Sequence, residues 1–382
     1  MKRASPVLMC VMIGVGCEAG RSSRVETRDS AGVRMVVVEQ IEEQLEWQAD
    51  TVLLLGGADA GVQGFYRVSN ALVDVDSEGW IYLLDQTSHR VVVFDSLGTF
   101  MTAFGREGGG PGELRWPLAV AVSAAGEVVV HDASKGSLVW FDSSGRLLPE
   151  GRFRVSTIHM HLRHVDLVGP AVVAWMRERY AGSDERRERL VWVSAGDTVA
   201  LLSLEAGRTS TALYPACGMA FTIRVPLSPF IYWSQSGNRI AVAAWGDDRV
   251  DVFDDSRLSF TLRLGPRRSE IGEAEAIKEL EASGYSGPCN ADAREIVRKH
   301  GFYRVPQRIR GVAVGPDGAL WVRRIDSGGN LRIEVLDSVG WPLGTLPEGF
   351  PMPIAFLPDG RPLIEVRDSL HVERLGVLRV RP

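Results

Sequence analysis

Val73-Asp74-Val75-Asp76-Ser77-Glu78-Gly79-Trp80-Ile81-Tyr82-Leu83 is followed, a few residues on, by Val93-Phe94-Asp95-Ser96-Leu97-Gly98. A shift of 47 positions brings a second copy into line. Val120-Ala121-Val122-Ser123-Ala124-Ala125-Gly126-Glu127-Val128-Val129-Val130 matches the first stretch, and Trp140-Phe141-Asp142-Ser143-Ser144-Gly145 matches the second. Each copy reads as an alternating strand, a glycine turn, a β-rich strand, a polar loop, a strand, a second glycine turn and a last strand. Four short antiparallel strands per repeat is the pattern of a propeller blade.

Looser copies extend the pattern to the end of the chain. The first-turn glycine returns at Gly169, Gly237, Gly318 and Gly360, and the second turn at Val252-Phe253-Asp254-Asp255 and Val335-Leu336-Asp337-Ser338-Val339-Gly340. Six units follow, near 69–105, 117–153, 163–204, 229–265, 308–346 and 352–380. The last unit stops after its third strand, while Thr51-Val52-Leu53-Leu54-Leu55 is an orphan strand ahead of the first. Pairing the two closes the ring and removes its free edges. The expected fold is therefore all-β, a six-bladed β-propeller over residues 51–382 closed by an N-terminal strand. One stretch breaks the pattern. Between Ser269 and His300, apolar residues at 271, 274, 277 and 280 follow helical spacing, which predicts a small helical insertion (269–300) between blades four and five.

The glycine-rich run Phe104-Gly105-Arg106-Glu107-Gly108-Gly109-Gly110-Pro111-Gly112-Glu113-Leu114, with Pro117 after it, resembles the inter-blade motif of NHL-type six-bladed β-propellers. Together with the N-terminus described next, the chain resembles the exported propeller lipoproteins of bacteria. That resemblance implies the propeller and an envelope location, and no single chemistry.

Met1-Lys2-Arg3 and the mostly apolar stretch 4–16 read as a secretory signal, too short to span a bilayer as a helix. Small residues lead into Cys17, the expected lipidation site and mature N-terminus, although Gly14 stands where such signals usually carry leucine. A plain cleaved signal is the alternative. Residues 17–50 then read as a tether and lead-in. Cys10 leaves with the signal, so Cys217 and Cys289 remain, either as a disulfide or as two free thiols. The 382 residues carry a net charge of −5, with 45% hydrophobic residues. That is a globular composition, and it gives no basic field for nucleic acid.

Candidate chemistry is sparse. His159-Met160-His161-Leu162-Arg163-His164 holds three of the seven histidines. His159, His161 and His164 are the candidate ligands of a metal, zinc or calcium, provided that the chain bends to converge them. Otherwise they are connector histidines. Some NHL-like propeller enzymes are zinc-dependent lyases, and gluconolactonase-like propellers hold calcium, but neither pattern transfers residue by residue. Asp74 to Asp85 superficially fits a calcium loop, yet Ser123-Ala124-Ala125-Gly126 at the same turn makes a repeated turn the better reading. Asp85, Asp132, Asp247, Asp248, Asp326 and Asp368 either form an acidic rim or are turn residues, the latter preferred. There is no GxSxG, HExxH, CxxC or phosphate loop. Two functions follow. The first is a binding module at the cell envelope, periplasmic or on the surface, anchored in the membrane through its N-terminal lipid, with a protein, peptide or glycan ligand. The second is a metal-assisted lyase or hydrolase at the channel mouth.

Overall fold

The computed structural model describes residues 23–382, apart from 31, 58–60, 62–63, 66, 150–159, 180–185, 195–196, 206–208, 245–247, 266–269, 283–284, 327–328 and 368–371. The signal, Cys17, His159, Asp247 and Asp368 lie outside those residues.

The chain folds as a six-bladed β-propeller. In each blade the strands run antiparallel in sequence order, and the first strand lies innermost, where inner strands of successive blades meet. These inner strands are Val73–Val75, Pro117–Val122, Met160–Val168, Tyr232–Ser236, Ile309–Val314 and Ala355–Phe356. Blade two has three regular strands, and its fourth is reduced to a bridge between Phe141 and Leu147. In blade six the fourth strand is Gln48–Leu55, which pairs antiparallel with Glu373–Arg381, Leu55 opposite Leu375 and Leu53 opposite Val377. The orphan strand therefore closes the ring.

The core is a series of apolar layers between blades. Tyr82 and Val93 of blade one pack with Val120 and Val130 of blade two, and Trp175 of blade three packs with Trp233 and Ile240 of blade four. The repeated turn residues have a local cause. Asp95, Asp142 and Asp337 each accept hydrogen bonds from the backbone N–H groups two and four residues on, at 2.7 to 3.0 Å. An aspartate that closes its own turn satisfies donors the strands leave free.

The glycine-rich run 104–114 is pinned rather than loose. Glu113 accepts from the Gly110 N–H at 2.7 Å and pairs with Arg106, while Lys135 donates to the carbonyls of Gly110 and Glu113, both at 2.7 Å. Asp132 is fully buried and accepts from the N–H groups of Arg115 and Trp116. Asp85 and Asp132 are thus buried loop anchors, which takes both out of any exposed acidic rim.

The lead-in carries structure of its own. Arg24–Ser30 and Val33–Gln40 form a hairpin whose second strand adds in parallel to the outer strand of blade four, Arg34 opposite Phe260, making a six-stranded sheet. The connection before blade four is also folded. Thr209–Tyr214 and Met219–Arg224 form a hairpin that packs on helices α1 (Glu273–Ala282) and α2 (Ala293–His300). Asp292 caps α2 by accepting from the Glu295 N–H. The sulfur atoms of Cys217 and Cys289 lie at bonding distance with Cα atoms 6.0 Å apart, joining hairpin to insertion.

Candidate functional site

Inner strands of a propeller present side chains to its axis, so the site is built from there outward. A cavity of about 390 Å³ lies against the inner strands of blades one, three, four, five and six, which places it on that axis. That size falls in the range of small-molecule sites.

Its acidic wall comes from blades one and three. Asp74 occupies the middle of Val73-Asp74-Val75, where the repeat in blades two and five carries Ala121 and Ala313. It is 9% exposed and accepts from the N–H of Val122 at 2.6 Å and of Val75 at 2.8 Å. Burial, and secondarily the charge of Asp76, pushes its carboxyl up to about 7 despite those two hydrogen bonds. Asp166, in Val165-Asp166-Leu167, is 6% exposed, and burial followed by the charge of Asp74 raises it well above the ordinary value. Burial of both carboxyls and their mutual repulsion favour the protonated form of the pair.

His164 completes this wall. Its Nε2 lies 3.5 Å from Asp166 Oδ2, and its ring packs on Trp233 with centroids 4.5 Å apart. Burial lowers it to about 3, opposed by a hydrogen bond to the Asn70 backbone, so the ring is neutral. The three-histidine expectation is divided. The strand does bend, with a bulge between Leu162 and His164, and the backbone of His161 pairs with Arg177. His159 lies outside the described residues, and only the imidazole of His164 is described. Among the described residues no three His, Cys, Asp or Glu side chains converge as a metal group.

Blade four supplies aromatic surface, Phe230, Tyr232 and Trp233, joined by Trp175 of blade three. The indole N–H groups of Trp175 and Trp233 and the Gln235 Oε1 are buried without a hydrogen-bond partner. A buried polar atom left unpaired costs about 1–3 kcal/mol, so three around one cavity mark a surface built for a ligand or ordered water. Blade five supplies Arg310 and Arg323. Arg310 pairs with Glu279 of α1 at 3.4 Å, which sets the insertion beside this wall. Arg323 donates to the Arg310 carbonyl at 3.2 Å and has no acidic partner among the described residues, while its Nε is buried and unpaired.

Sequence reading singled out His164 and missed Asp166, Trp233 and Arg323. It read Asp74 as part of a turn. A signal was available for the two aspartates: each is a charged residue inside an inner strand where two other blades carry Val-Ala-Val.

Six blades around a cavity-bearing axis define the class. A family model described as a 6-bladed beta-propeller matches residues 70–199. Among solved structures, the chain is similar to a candidate exported protein of Bacteroides fragilis, at 12% identity and a TM-score of 0.51, covering 90% of this chain and 98% of that one. It is also similar to a member of the DUF4221 family from Bacteroides vulgatus (10% identity, TM-score 0.49, covering 89% and 99%). A streptogramin B lyase is a further match (8% identity, TM-score 0.42, covering 88% and 98%). No functionally curated protein matches the sequence. Identities this low establish the fold alone.

Proposed function

We propose that this protein is an exported binding module of the cell envelope, held to the membrane by a lipid on Cys17, whose ligand occupies the axial cavity. The observation that carries the reading is the concentration of unpartnered buried polar atoms, on Trp175, Trp233, Gln235 and Arg323, around one cavity. The signal-like N-terminus followed by Cys17 supports export and anchoring. No helix among the described residues is long and apolar enough to cross a membrane, so the lipid is the proposed anchor. Metal-assisted chemistry gains no comparable support, because the described imidazole of His164 is engaged with Trp233 and Asp166.

Gly311 gives the test. It lines the cavity on the inner strand of blade five, and an added Cβ meets only ordinary contacts, with Arg323 Nε at 3.6 Å and Met352 Cε at 3.7 Å. Gly311→Val therefore narrows the cavity without opening the fold. In a thermal-shift panel of sugars, amino acids, polyamines, nucleosides and organic acids, at least one compound is expected to raise the melting temperature of the wild type and leave Gly311→Val unmoved. A ligand at a hundred times its Kd stabilises by about 2.7 kcal/mol, a shift well within detection. A panel without any such compound would sink the reading. Anchoring is checked separately: Cys17→Ser is expected to move the protein from the membrane fraction to the soluble one and to abolish labelled palmitate incorporation.

A further inference from the structure

The cavity is electrically two-sided. Asp74 and Asp166 sit on blades one and three, and Asp74 Oδ2 accepts from Val122 of blade two, so the acids bracket blade two. In a six-blade ring the blade opposite blade two is blade five, and that blade carries Arg310 and Arg323. Blade four, between the poles, contributes Tyr232 to Ser236, among them aromatic and neutral polar side chains and no charge. Blade six adds Glu365, whose carboxylate is taken by Arg367 at 2.5 Å.

Among the described residues the acidic pole has no internal counter-cation, and of the two arginines only Arg310 is paired, with Glu279. Asp166 has neutral His164 beside it instead of a cation, and Asp74 has backbone N–H groups. Across the cavity Arg323 has only a carbonyl. A neutral sugar leaves both poles unsatisfied, and a simple cation or anion satisfies one. A ligand that carries an ammonium at one end and a carboxylate at the other satisfies both, and the aromatic wall covers an apolar body.

We propose that the axial cavity receives a small zwitterion with an apolar body, an apolar amino acid or short peptide, with its ammonium at the Asp74–Asp166 pair and its carboxylate at Arg323. The inference rests on the axial cavity being the binding site. Trp175 and Trp233 then donate to the ligand's carbonyl or carboxylate oxygens, and Gln235 Oε1 accepts from its N–H, which removes the unpaired atoms. Binding also has a proton signature. An ammonium beside the acid pair favours the ionised carboxylates, so the pair releases a proton as the ligand enters. The charged or titratable groups facing the pair are Asp76 on blade one and His164 on blade three, with Arg310, Arg323 and Glu365 across the cavity; blade four presents only the Tyr232 hydroxyl.

The test is calorimetric titration of the wild type with glycyl-L-leucine and L-leucine, set against N-acetyl-L-leucine, L-leucinamide and glucose. At least one of the two zwitterions is expected to bind, with each singly blocked analogue about tenfold or more weaker. Affinity is expected to rise about tenfold from pH 6 to pH 8 through release of one proton. Arg323→Gln is expected to erase the preference for leucine over leucinamide while keeping the preference over the acetylated form. Gly311→Val is expected to abolish binding. Absence of zwitterion binding at about 1 mM, where the interaction is still worth about 4 kcal/mol, overturns the proposal. Glucose binding that Gly311→Val removes would overturn the zwitterion and leave the axial site standing. Zwitterion binding that ignores Gly311→Val would remove the axial site itself. Should Arg323→Gln fail to fold, the blocked analogues on the wild type decide the question alone.

Discussion

Replacing Asp166 by asparagine is expected to make the protein more stable than the wild type by an amount that grows as pH rises above the ordinary aspartate range. An aspartate whose folded pKa is raised binds its proton more tightly folded than unfolded. Its contribution is therefore intact below the unfolded pKa near 3.8 and is lost as pH rises through the folded value. For Asp74, raised to about 7, the full loss is about 4 kcal/mol. Asp166 is raised in the same direction, by burial and then by the charge of Asp74. His164 works oppositely. Lowered from 6.5 to about 3, it costs stability as pH falls through that window, because the unfolded imidazole takes the proton first. Between pH 4 and 6.5 the histidine offsets Asp74, and Asp166, raised in the same direction as Asp74, adds a fall in stability with rising pH. Asparagine at 166 keeps a polar partner beside His164 and removes that residual slope. The two stability curves should diverge with rising pH, by at most about 1.4 kcal/mol per pH unit, the linkage of one proton, with the variant nearly flat from pH 5 to 6.5. Urea denaturation at four pH values measures this. Parallel curves would mean that Asp166 is not protonated in the folded protein.

The contrast between what the sequence disclosed and what it hid has a physical pattern. Blade units were legible because their strand–turn–strand contacts are close in sequence and repeat at a fixed spacing, and the closing strand because Leu53-Leu54-Leu55 is an apolar run left over beside a last unit one strand short. The pairing of Arg34 with Phe260 left no such trace. Val33 to Gln40 is a good strand with nothing local to name its partner, so 24–40 passed as lead-in. The same holds for Thr209 to Arg224, whose apolar side chains pack on helices about 60 to 85 residues away in sequence. The site was the least legible part. Asp74, Asp166, Trp233 and Arg323 come from four different blades, and only ring closure brings those blades to one axis. The histidine run drew notice because its residues are adjacent in sequence, yet the one described imidazole serves the cavity through contacts with Asp166 and Trp233.

Gly145→Ala is expected to cost about 3–4 kcal/mol, far more than the same change at Gly360, and the difference identifies what the repeated second-turn glycine is for. Both residues sit at similar backbone angles, φ +82° and +87°. Any L side chain there costs about 1–2 kcal/mol. At Gly360 an added Cβ finds nothing within 4 Å, so the backbone cost is the whole effect. At Gly145 the Cβ would stand 2.4 Å from the Cβ of Phe104 on the outer strand of the preceding blade. Phe104 cannot swing clear, because it packs on Phe141 with centroids 5.1 Å apart. Overpacking of this kind adds about 1–3 kcal/mol. The same contact recurs around the ring, Gly98 against Leu53 of the closing strand at 2.6 Å and Gly340 against Phe260 of blade four at 2.9 Å. Each second turn is thus seated on its predecessor's edge, and the Gly98 contact does this across the closure itself. Gly98→Ala meets the movable δ-carbons of Leu53 and Leu55, so it should cost less than Gly145→Ala while still loosening the seam, seen as faster amide exchange in 48–55 and 373–381 than elsewhere. Equal losses of stability at positions 145, 98 and 360 would show that backbone angle alone selects the glycine and that inter-blade seating contributes nothing.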